Sequence, residues 1–471
     1  MKDQKDRLTL NRREFIKFGA GGMAALVVGA KMPWILDNEA FAAAPVQSLN
    51  FTITDAIKDM ATHNTINPAQ CYFWVYKEAT LPFEVPGPHI FTTEGTIVNI
   101  TITNSLEQPH AFFIPGLFDS GPIAPGQTVV KRFGARTAGT YLYYDNLNDP
   151  VNRVMGLHGA FIVMPKAPKR GHKFTPYSSP TPGVQALFDD FGTAQWWPGL
   201  AWEQGATNPE ARPTPPFRQY IWLLHQASPV LFREVGSLPA GEIMESAEFV
   251  QKFLHDAFVP TRETNNIPNY FTISGQSGHF AHNTPYICPN LRVGEPCVIR
   301  LLNAGLWTHS MHIHANHVYI TSIKGVVQEN PIWVDVFNIE PLDTVEYVNP
   351  YMRPPDVPNE RGIGRADAPR TTLNGGPTWP PNEELAMLIP SAPAGLAVQL
   401  SPLCYPMHDH SEPSQTSQGG NYNMGMISGM NFIGDRGVAG PGSSFPNQPL
   451  IDPPGPGPGV FMPAVPPPWF D

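Results

Sequence analysis

Short runs of alternating apolar and polar residues recur along most of the chain. Residues 89–106, HIFTTEGTIVNITITNSL, alternate after a VPGP turn, and a period of two residues is typical of strands with one buried face. Other apolar runs bounded by turn residues predict further strands: AGTYLYYDN, GLHGAFIVMP, QYIWLLH, NYFTISG, CVIRLLNAG, HVYITSIKG and DTVEYVNP. The pattern therefore predicts an all-β protein.

These runs form two blocks along the sequence. We predict one domain over 50–165, a proline-rich linker or covering loop over 166–219 and a second domain over 220–435. A Pro/Gly-rich tail without periodicity follows over 436–471. The 471 residues include 42% hydrophobic and 15% charged residues, with 54 prolines and 41 glycines, which indicates a folded, loop-rich protein and not a disordered one.

The N-terminus carries an export pattern. Arg12-Arg13 stand before a weakly apolar Gly/Ala run, and AFA follows at Ala40 to Ala42. This arrangement is typical of a twin-arginine signal peptide cleaved after residue 42. The apolar run ends at Lys31, short of the roughly 20 residues that span a bilayer. We therefore predict a periplasmic protein with no stable membrane insertion after cleavage.

The net charge excludes some classes of binding partner, and the cysteine positions allow a disulfide. The formal net charge of −10 at pH 7 argues against nucleic acid or an anionic membrane surface as a partner. Cys288 and Cys297 flank a turn-like segment, PNLRVGEP. They form either a disulfide across a hairpin or two buried thiols, and sequence spacing leaves both readings open.

Two stretches near the C-terminal end, THSMHIHANH and PLCYPMHDHSE, each place two histidines one residue apart. Residues i and i+2 of a strand face the same side, so His312 and His314 can face one metal ion, and His408 and His410 can do the same. Neutral imidazoles suit copper or zinc. The spacing predicts a shared four-nitrogen site; the alternative is a ligand framework that has lost its ion.

The order of the segments resembles that of multicopper oxidases. VPGPHIFTTEGTIVNITITNSLEQPHAFFIPG, IAPGQTVVKRFGARTAGTYLYYDN and GLHGAFIV resemble the first cupredoxin domain of that family. VGEPCVIRLLNAGLWTHSMHIHANHVYI resembles the copper loop of its last domain, and MHDHSE with GMISGM resembles the closing loop. The resemblance implies two cupredoxin-like Greek-key β-sandwich or barrel domains and copper as the cofactor.

The first block departs from the family's ligand pattern. Where the family has His-Trp-His-Gly, residues 113–116 read FIPG, and where it has His-Ser-His, residues 144–146 read YDN. Phenylalanine and proline cannot ligate copper, so this block cannot supply its half of a trinuclear cluster. His110 and His158 lie nearby in sequence, but isolated histidines are more often structural residues than ligands.

The second block admits two alignments. The resemblance carries His309 onto the blue-copper ligand position and His312 and His314 onto cluster positions. In the favoured alignment, Asp409 replaces the blue-copper cysteine, and a carboxylate there abolishes the sulfur bond of a blue site. The rival alignment uses Cys404 as the thiolate with His309 and His408 as nitrogen ligands. Its weak axial ligand is Met424 or Met426.

Three functional hypotheses follow from the resemblance. The first is a copper oxidoreductase with a reduced copper site in the second domain. The second is a non-catalytic cupredoxin-fold scaffold of the cell envelope. The third, a copper nitrite reductase, is the weakest, because that class needs a first-domain cysteine ligand and no cysteine lies between Cys71 and Cys288. Two-domain members commonly form homotrimers, so the resemblance also implies a homotrimer, whereas the sequence identifies no electron donor or acceptor.

Overall fold

The structure is a computed structural model, and its described residues are 45–60, 69–190, 217–258, 270–284, 286–292, 297–314, 316–349, 371–373, 376–378, 403–415, 424–434 and 460–461. The predicted signal peptide lies outside these residues. The described residues from Val46 onward belong to one compact unit, and the predicted domain boundaries at 165 and 220 stay predictions. We use "N-terminal half" for residues 46–164 and "C-terminal half" for residues 218–434.

The described residues are rich in strands, and the all-β prediction is confirmed. The strands of the N-terminal half are β1 (Val46–Met60), β2 (Ala69–Glu78), β3 (His89–Thr93), β4 (Ile97–Asn104), β5 (Phe113–Ile114), β6 (Phe118–Asp119), β7 (Thr128–Gly134), β8 (Gly139–Tyr144) and β9 (His158–Met164).

The later strands are β10 (Arg218–Ala227), β11 (Tyr270–Ile273), β12 (Asn290–Arg292), β13 (Cys297–Asn303), β14 (His309–Ile313), β15 (Val318–Ile323), β16 (Val326–Val334), β17 (Val336–Ile339), β18 (Thr344–Asn349), β19 (Thr371–Leu373), β20 (Gly376–Thr378), β21 (Leu403–Asp409), β22 (Ile427–Gly434) and β23 (Val460–Phe461). The helices are α1 (Val151–Val154), α2 (Pro182–Asp190), α3 (Pro229–Gly236), α4 (Ser246–Phe258), α5 (Gly278–His282) and α6 (Glu412–Gln415).

The two halves repeat one strand plan. In the N-terminal half one sheet has the order β2-β1-β4-β7, and the other has the order β3-β9-β8-β5-β6, with β23 from the predicted tail added at the β3 edge. In the C-terminal half the sheets have the orders β11-β10-β13-β18-β15-β16 and β12-β22-β21-β14-β17. Strand β1 pairs with β4 in parallel, and β10 pairs with β13 in the same way. Each half is therefore a pair of sheets.

Burial explains why these segments form strands. Strand β4 alternates between buried and partly exposed positions, as expected for a strand with one face on the core. Strands β9 and β13 are instead buried at every position. An apolar cluster that includes Ile162 of β9 and Val298 of β13 joins the two halves. The strands at this junction therefore bury both faces and lose the alternation.

A buried polar network also crosses the junction. Arg300 and Glu346 form an ion pair in which the side chains are 0% and 3% exposed. Thr140 of the N-terminal half contacts both partners, accepting from Arg300 Nη1 at 2.8 Å and donating to Glu346 Oε1. Two guanidinium nitrogens of Arg300 also donate to Gln219 Oε1, at 3.0 and 2.8 Å. Since the charges are paired and hydrogen-bonded, their burial is tolerated.

The segments predicted as linker and tail contain some ordered structure. Helix α2 lies in the predicted linker, and its Val184 and Phe188 are buried in the cluster that joins the halves. Thr181, just before this helix, donates to the carbonyl of Gln328 on β16 at 2.5 Å. In the predicted tail, β23 pairs with the edge strand β3. Among the described residues, no helix is long and apolar enough to span a membrane.

Candidate metal centre

Strand pairing brings the two histidine stretches together. Strands β14 and β21 are antiparallel neighbours, and their register places His312 opposite His408. His314 and His410 follow at the next same-face positions, and His314 donates its backbone N–H to the carbonyl of Pro406 at 3.0 Å. The sequence spacing predicted two pairs of histidines, and the sheet register makes them one cluster.

The imidazoles lie within reach of a common ion. Ligating nitrogens of His312, His314 and His408 all lie within 4.8 Å of one another. Nε2 of His314 and Nε2 of His408 are 2.9 Å apart. The ring of His410 packs beside this group, 4.7 Å from the ring of His312 and 5.3 Å from that of His408. Three of the four histidines in the two His-x-His pairs thus come close enough to share an ion, and the ring of the fourth is in contact with them.

Backbone carbonyls fix two of the rings. His312 Nδ1 donates to the carbonyl of Asp335 at 2.9 Å, and His408 Nδ1 donates to the carbonyl of Asp409 at 2.9 Å. A neutral imidazole that donates through Nδ1 keeps the lone pair on Nε2, so these contacts select the tautomer that presents Nε2 as a ligand. Sequence reasoning missed Asp335, because a carbonyl contact leaves no residue-type signal.

The pKa values of His314 and His408 are lowered, which favours their neutral forms. Burial lowers the pKa of His408, and the neighbouring imidazoles of His312 and His410 lower it further against the opposing contacts of Asp409. The pKa of His314 is lowered by burial and by its three histidine neighbours. A metal ion competes with protons for these nitrogens, so a lowered pKa favours metal binding near neutral pH.

The donor set fits copper. Nε2 of His314 and Nε2 of His408 are close enough that both would be able to bind one ion. All donors are imidazole nitrogens, which suit copper and zinc and not the hard cations. His312, His314 and His408 would hold the ion, with His410 beside them. The side chains of His314 and His410 are exposed, so this cluster opens to solvent.

His309 is buried and contacts the side chains of Asp409 and Gln226. His309 and Asp409 are both 0% exposed, and His309 Nδ1 donates to Asp409 Oδ2 at 2.5 Å. Burial alone would raise the pKa of Asp409, but the hydrogen bond and charge of His309 and the donors Ser414 and Ser411 outweigh it and hold the pKa below its ordinary value. Asp409 therefore acts as a buried carboxylate acceptor for His309.

The second nitrogen of His309 is also used. Gln226 Oε1 accepts the backbone N–H of Leu306 at 2.7 Å, which turns the Gln226 amide nitrogen toward His309 Nε2, 2.7 Å away. Both ring nitrogens of His309 therefore contact protein side chains. The ligand role of His309 stays a prediction, and a metal ion there would have to displace one of these two contacts.

Strand geometry argues against the rival alignment. Cys404 and His408 both lie on β21, four residues apart, which is about 13 Å along an extended strand. That spacing is too long for the two side chains to bind one ion. The side chain of Cys404 lies outside the described residues, so its own metal role stays a prediction. Met426 is 0% exposed and lies in the apolar core of the C-terminal half, whereas Met424 packs in an apolar cluster that contains residues of both halves.

The N-terminal half contains a second buried His–Asp pair. His110 Nδ1 lies 2.7 Å from Asp145 Oδ2, and both side chains are 0% exposed. Asp145 also accepts from Asn152 Nδ2 at 3.0 Å and from the backbone N–H of Leu147 at 2.8 Å. Sequence reasoning missed Asp145. Its signal was the shared position of the aspartates in YDN and HDH.

Aromatic side chains occupy the positions beside this pair. Phe113 of β5 lies opposite Tyr144 of β8, and their rings meet edge to face at 5.5 Å. Pro115 and Asn146 occupy the next same-face positions. These are the positions that His312, His408, His314 and His410 occupy beside the other His–Asp pair. The N-terminal half therefore supplies no imidazole there, as the sequence predicts.

His158 lies in a separate buried cluster at the junction of the halves. Its Nδ1 donates to the carbonyl of Arg153 at 2.7 Å, and its ring lies 4.4 Å from that of His225. Burial lowers the pKa of His158 to about 3 and the pKa of His89 to about 4. These neutral histidines are structural residues of the junction.

Cys288 and Cys297 are buried thiols in the structure, and Cys288 Sγ donates to the carbonyl of Gly429 at 3.1 Å. The sequence left open either a disulfide or two buried thiols, and the structure has the two buried thiols.

Comparison with known proteins identifies the N-terminal half. Residues 77–168 match the family model described as multicopper oxidase, a span of about a fifth of the chain. The chain is 32% identical over 94 residues to the laccase ustL of Ustilaginoidea virens, covering 17% of this chain and 14% of that protein. It is 26% identical over 210 residues to laccase 1 of Metarhizium acridum, covering 39% of this chain and 31% of that protein.

Among solved structures, the blue copper oxidase from Nitrosomonas europaea is similar with a TM-score of 0.48 and 16% identity, over 82% of this chain and 85% of that one. The chain spans less than a third of the length of the two laccases that it matches. Residues 77–168 thus match the multicopper oxidase family, an oxidoreductase family whose cofactor is copper. The family recognition made from the sequence is confirmed.

Proposed function

We propose that this chain is an exported copper-binding oxidoreductase with a reduced copper site in its C-terminal half. The observation that carries the proposal is the convergence of ligating nitrogens from His312, His314 and His408 within 4.8 Å. Copper bound there would supply one-electron redox chemistry. The backbone carbonyls of Asp335 and Asp409 hold two of the rings with Nε2 toward the cluster.

The N-terminal half limits the chemistry. Phe113 and Pro115 have no metal-binding atom, so this half does not add the ligands that a trinuclear cluster requires. We therefore do not propose the four-electron reduction of dioxygen. The exposed edges of His314 and His410 leave the site open to a small molecule or a redox partner from solvent.

Copper binding by paired variants tests whether the cluster is one site. The variants are His312→Ala/His314→Ala, His408→Ala/His410→Ala and the quadruple variant. A shared site predicts that each double variant binds copper nearly as weakly as the quadruple, because ligands that act as a unit are non-additive. The matched control is His172→Ala, an exposed histidine paired with Asp189 outside the cluster.

Retention of about half of the copper in each double variant would instead indicate two separate sites. If the unmutated chain bound no copper, the non-catalytic scaffold would become the better proposal.

Visible spectroscopy tests the loss of the blue site. With Asp409 beside His309, the copper-loaded protein is expected to show no intense charge-transfer band, and Cys404→Ser should leave the copper content unchanged. An intense band that disappears in Cys404→Ser would contradict this assignment.

Export and assembly belong to the same proposal. Replacing Arg12-Arg13 with Lys-Lys should leave the precursor in the cytoplasm, because the twin-arginine receptor reads the arginine pair. Cell fractionation checks this, and an undiminished periplasmic amount would contradict it.

The homotrimer implied by the resemblance is checked by sedimentation of the purified protein.

A further inference from the structure

The Asp409 carboxylate ties together the two segments that carry the histidines. Asp409 Oδ1 accepts the backbone N–H groups of Ser310 at 2.7 Å and Ser411 at 3.1 Å. Oδ2 accepts from His309 Nδ1 at 2.5 Å and from Ser414 Oγ. The carboxylate thus receives donors from both segments and is completely buried.

Asp409 lies at the end of β21, where its contacts hold the residues that follow the strand. The register of β14 and β21 ends at the pair Met311–Asp409, so His410 lies just beyond the end of the ladder. One backbone bond holds His410 there, from its N–H to the carbonyl of Ser310 at 2.8 Å. Asp409 bonds the residue on the far side of His410, Ser411, and also bonds Ser310 across the strands.

We propose that Asp409 is a positioning residue of the metal site, which holds His410 beside the other three imidazoles. The inference rests on the proposed copper site and assigns a role to a residue that does not touch the metal. Without the carboxylate, the turn after β21 would keep one backbone bond to β14, and the exposed His410 side chain would sample many orientations. Metal binding would then have to order that ring, and the entropy cost of ordering it would weaken the affinity.

Asp145 provides a matched control inside the same chain. It accepts from a buried histidine, from the backbone N–H two residues ahead and from a second side chain, as Asp409 does. The positions beside it hold Tyr144 and Asn146 and no histidine. Asp145→Asn therefore disturbs an equivalent buried pair without touching a metal ligand.

The experiment measures copper(II) and zinc(II) affinities of the full chain by competition with a chelator. Asp409→Asn should weaken binding by about 10- to 100-fold, the usual effect of losing a group that orients a ligand, and Asp145→Asn should leave the affinity unchanged. In a His410→Ala background, Asp409→Asn should have little further effect, because the carboxylate acts through that ring.

Ser414→Ala removes a single donor to Asp409 and should give a smaller loss in the same direction, which keeps the test open if Asp409→Asn does not fold. Equal affinities for Asp409→Asn and the unmutated chain would overturn the positioning role. So would a loss that persists undiminished in His410→Ala. Failure of the proposed function looks different, because the unmutated chain would then bind zinc without copper or neither ion. In the zinc-only case the positioning test runs with zinc, and in the other case both proposals fall.

Discussion

In the C-terminal half, His312 faces His408 across neighbouring strands, and in the N-terminal half Phe113 faces Tyr144 in the equivalent arrangement. Beside each facing pair lies a buried histidine bonded to an aspartate, His309 to Asp409 and His110 to Asp145. The two halves therefore share a backbone plan and a buried polar pair. They differ in the side chains that occupy the facing positions.

The difference separates family membership from metal binding. The family match covers residues 77–168, in the half where aromatic and apolar side chains replace the imidazoles. Among the described residues, the one group with three candidate ligands lies in the other half, outside that match. The fold positions can therefore persist while the chemistry at those positions is lost, because packing maintains the strands and the exposed side chains contribute little to it.

The largest expected difference between the halves is in metal affinity. His312→Ala/His408→Ala removes two nitrogens and should weaken copper binding on the order of a thousandfold, equivalent to about 4 kcal/mol. The matched variant Phe113→Ala/Tyr144→Ala removes the facing pair of the other half and should leave copper affinity unchanged. Competition with a chelator measures the copper affinity of both variants. Equal losses of affinity would show that the two halves do not differ in metal binding.

Grafting the histidines tests whether the two positions are equivalent. A variant with Phe113→His, Pro115→His, Tyr144→His and Asn146→His should bind one more copper ion per chain, because the register beside Asp145 matches that beside Asp409. Elemental analysis of the dialysed protein measures the stoichiometry. An unchanged copper content in a folded graft would show that the N-terminal backbone cannot present four imidazoles to one ion.

Acid should destabilise the fold through the buried histidines. The pKa of His89 is lowered to about 4 and that of His158 to about 3 from 6.5, so the unfolded chain binds more protons below pH 6.5. The free energy of unfolding that comes from keeping these rings neutral is fully present above pH 6.5. As the pH falls from 6.5 toward the folded-state pKa, it decreases by about 1.4 kcal/mol per pH unit for each histidine. Urea unfolding of the metal-free protein between pH 7 and pH 4.5 measures the slope, and a flat profile contradicts the prediction.

The smallest expected difference lies in the buried His–Asp pairs. Without metal, Asp145→Asn and Asp409→Asn should each lower the free energy of unfolding by about 1–3 kcal/mol, because each leaves buried donors without an acceptor. Similar losses by urea unfolding would support equivalent structural roles. A loss confined to one variant would show that the two pairs stabilise their halves differently.

Much of the fold was accessible from local sequence. The alternation in residues 89–106 predicted β3 and β4, and the apolar runs predicted β9 and β13, because strand burial imposes a residue pattern on each segment separately. The same-face spacing of His312 with His314 likewise follows from strand geometry alone. The absence of imidazoles at residues 113–116 was also plain from the residue types.

Tertiary structure decided how these parts meet. The register of β14 against β21, which joins residues almost a hundred positions apart, turns two histidine pairs into one cluster. It also placed Asp409 against one nitrogen of His309 and Gln226 against the other nitrogen of that ring. The sequence determined which side chains were able to bind a metal, since that is a property of residue type. Long-range strand pairing determined which of them point at the same place, since register depends on the packing of the whole sheet.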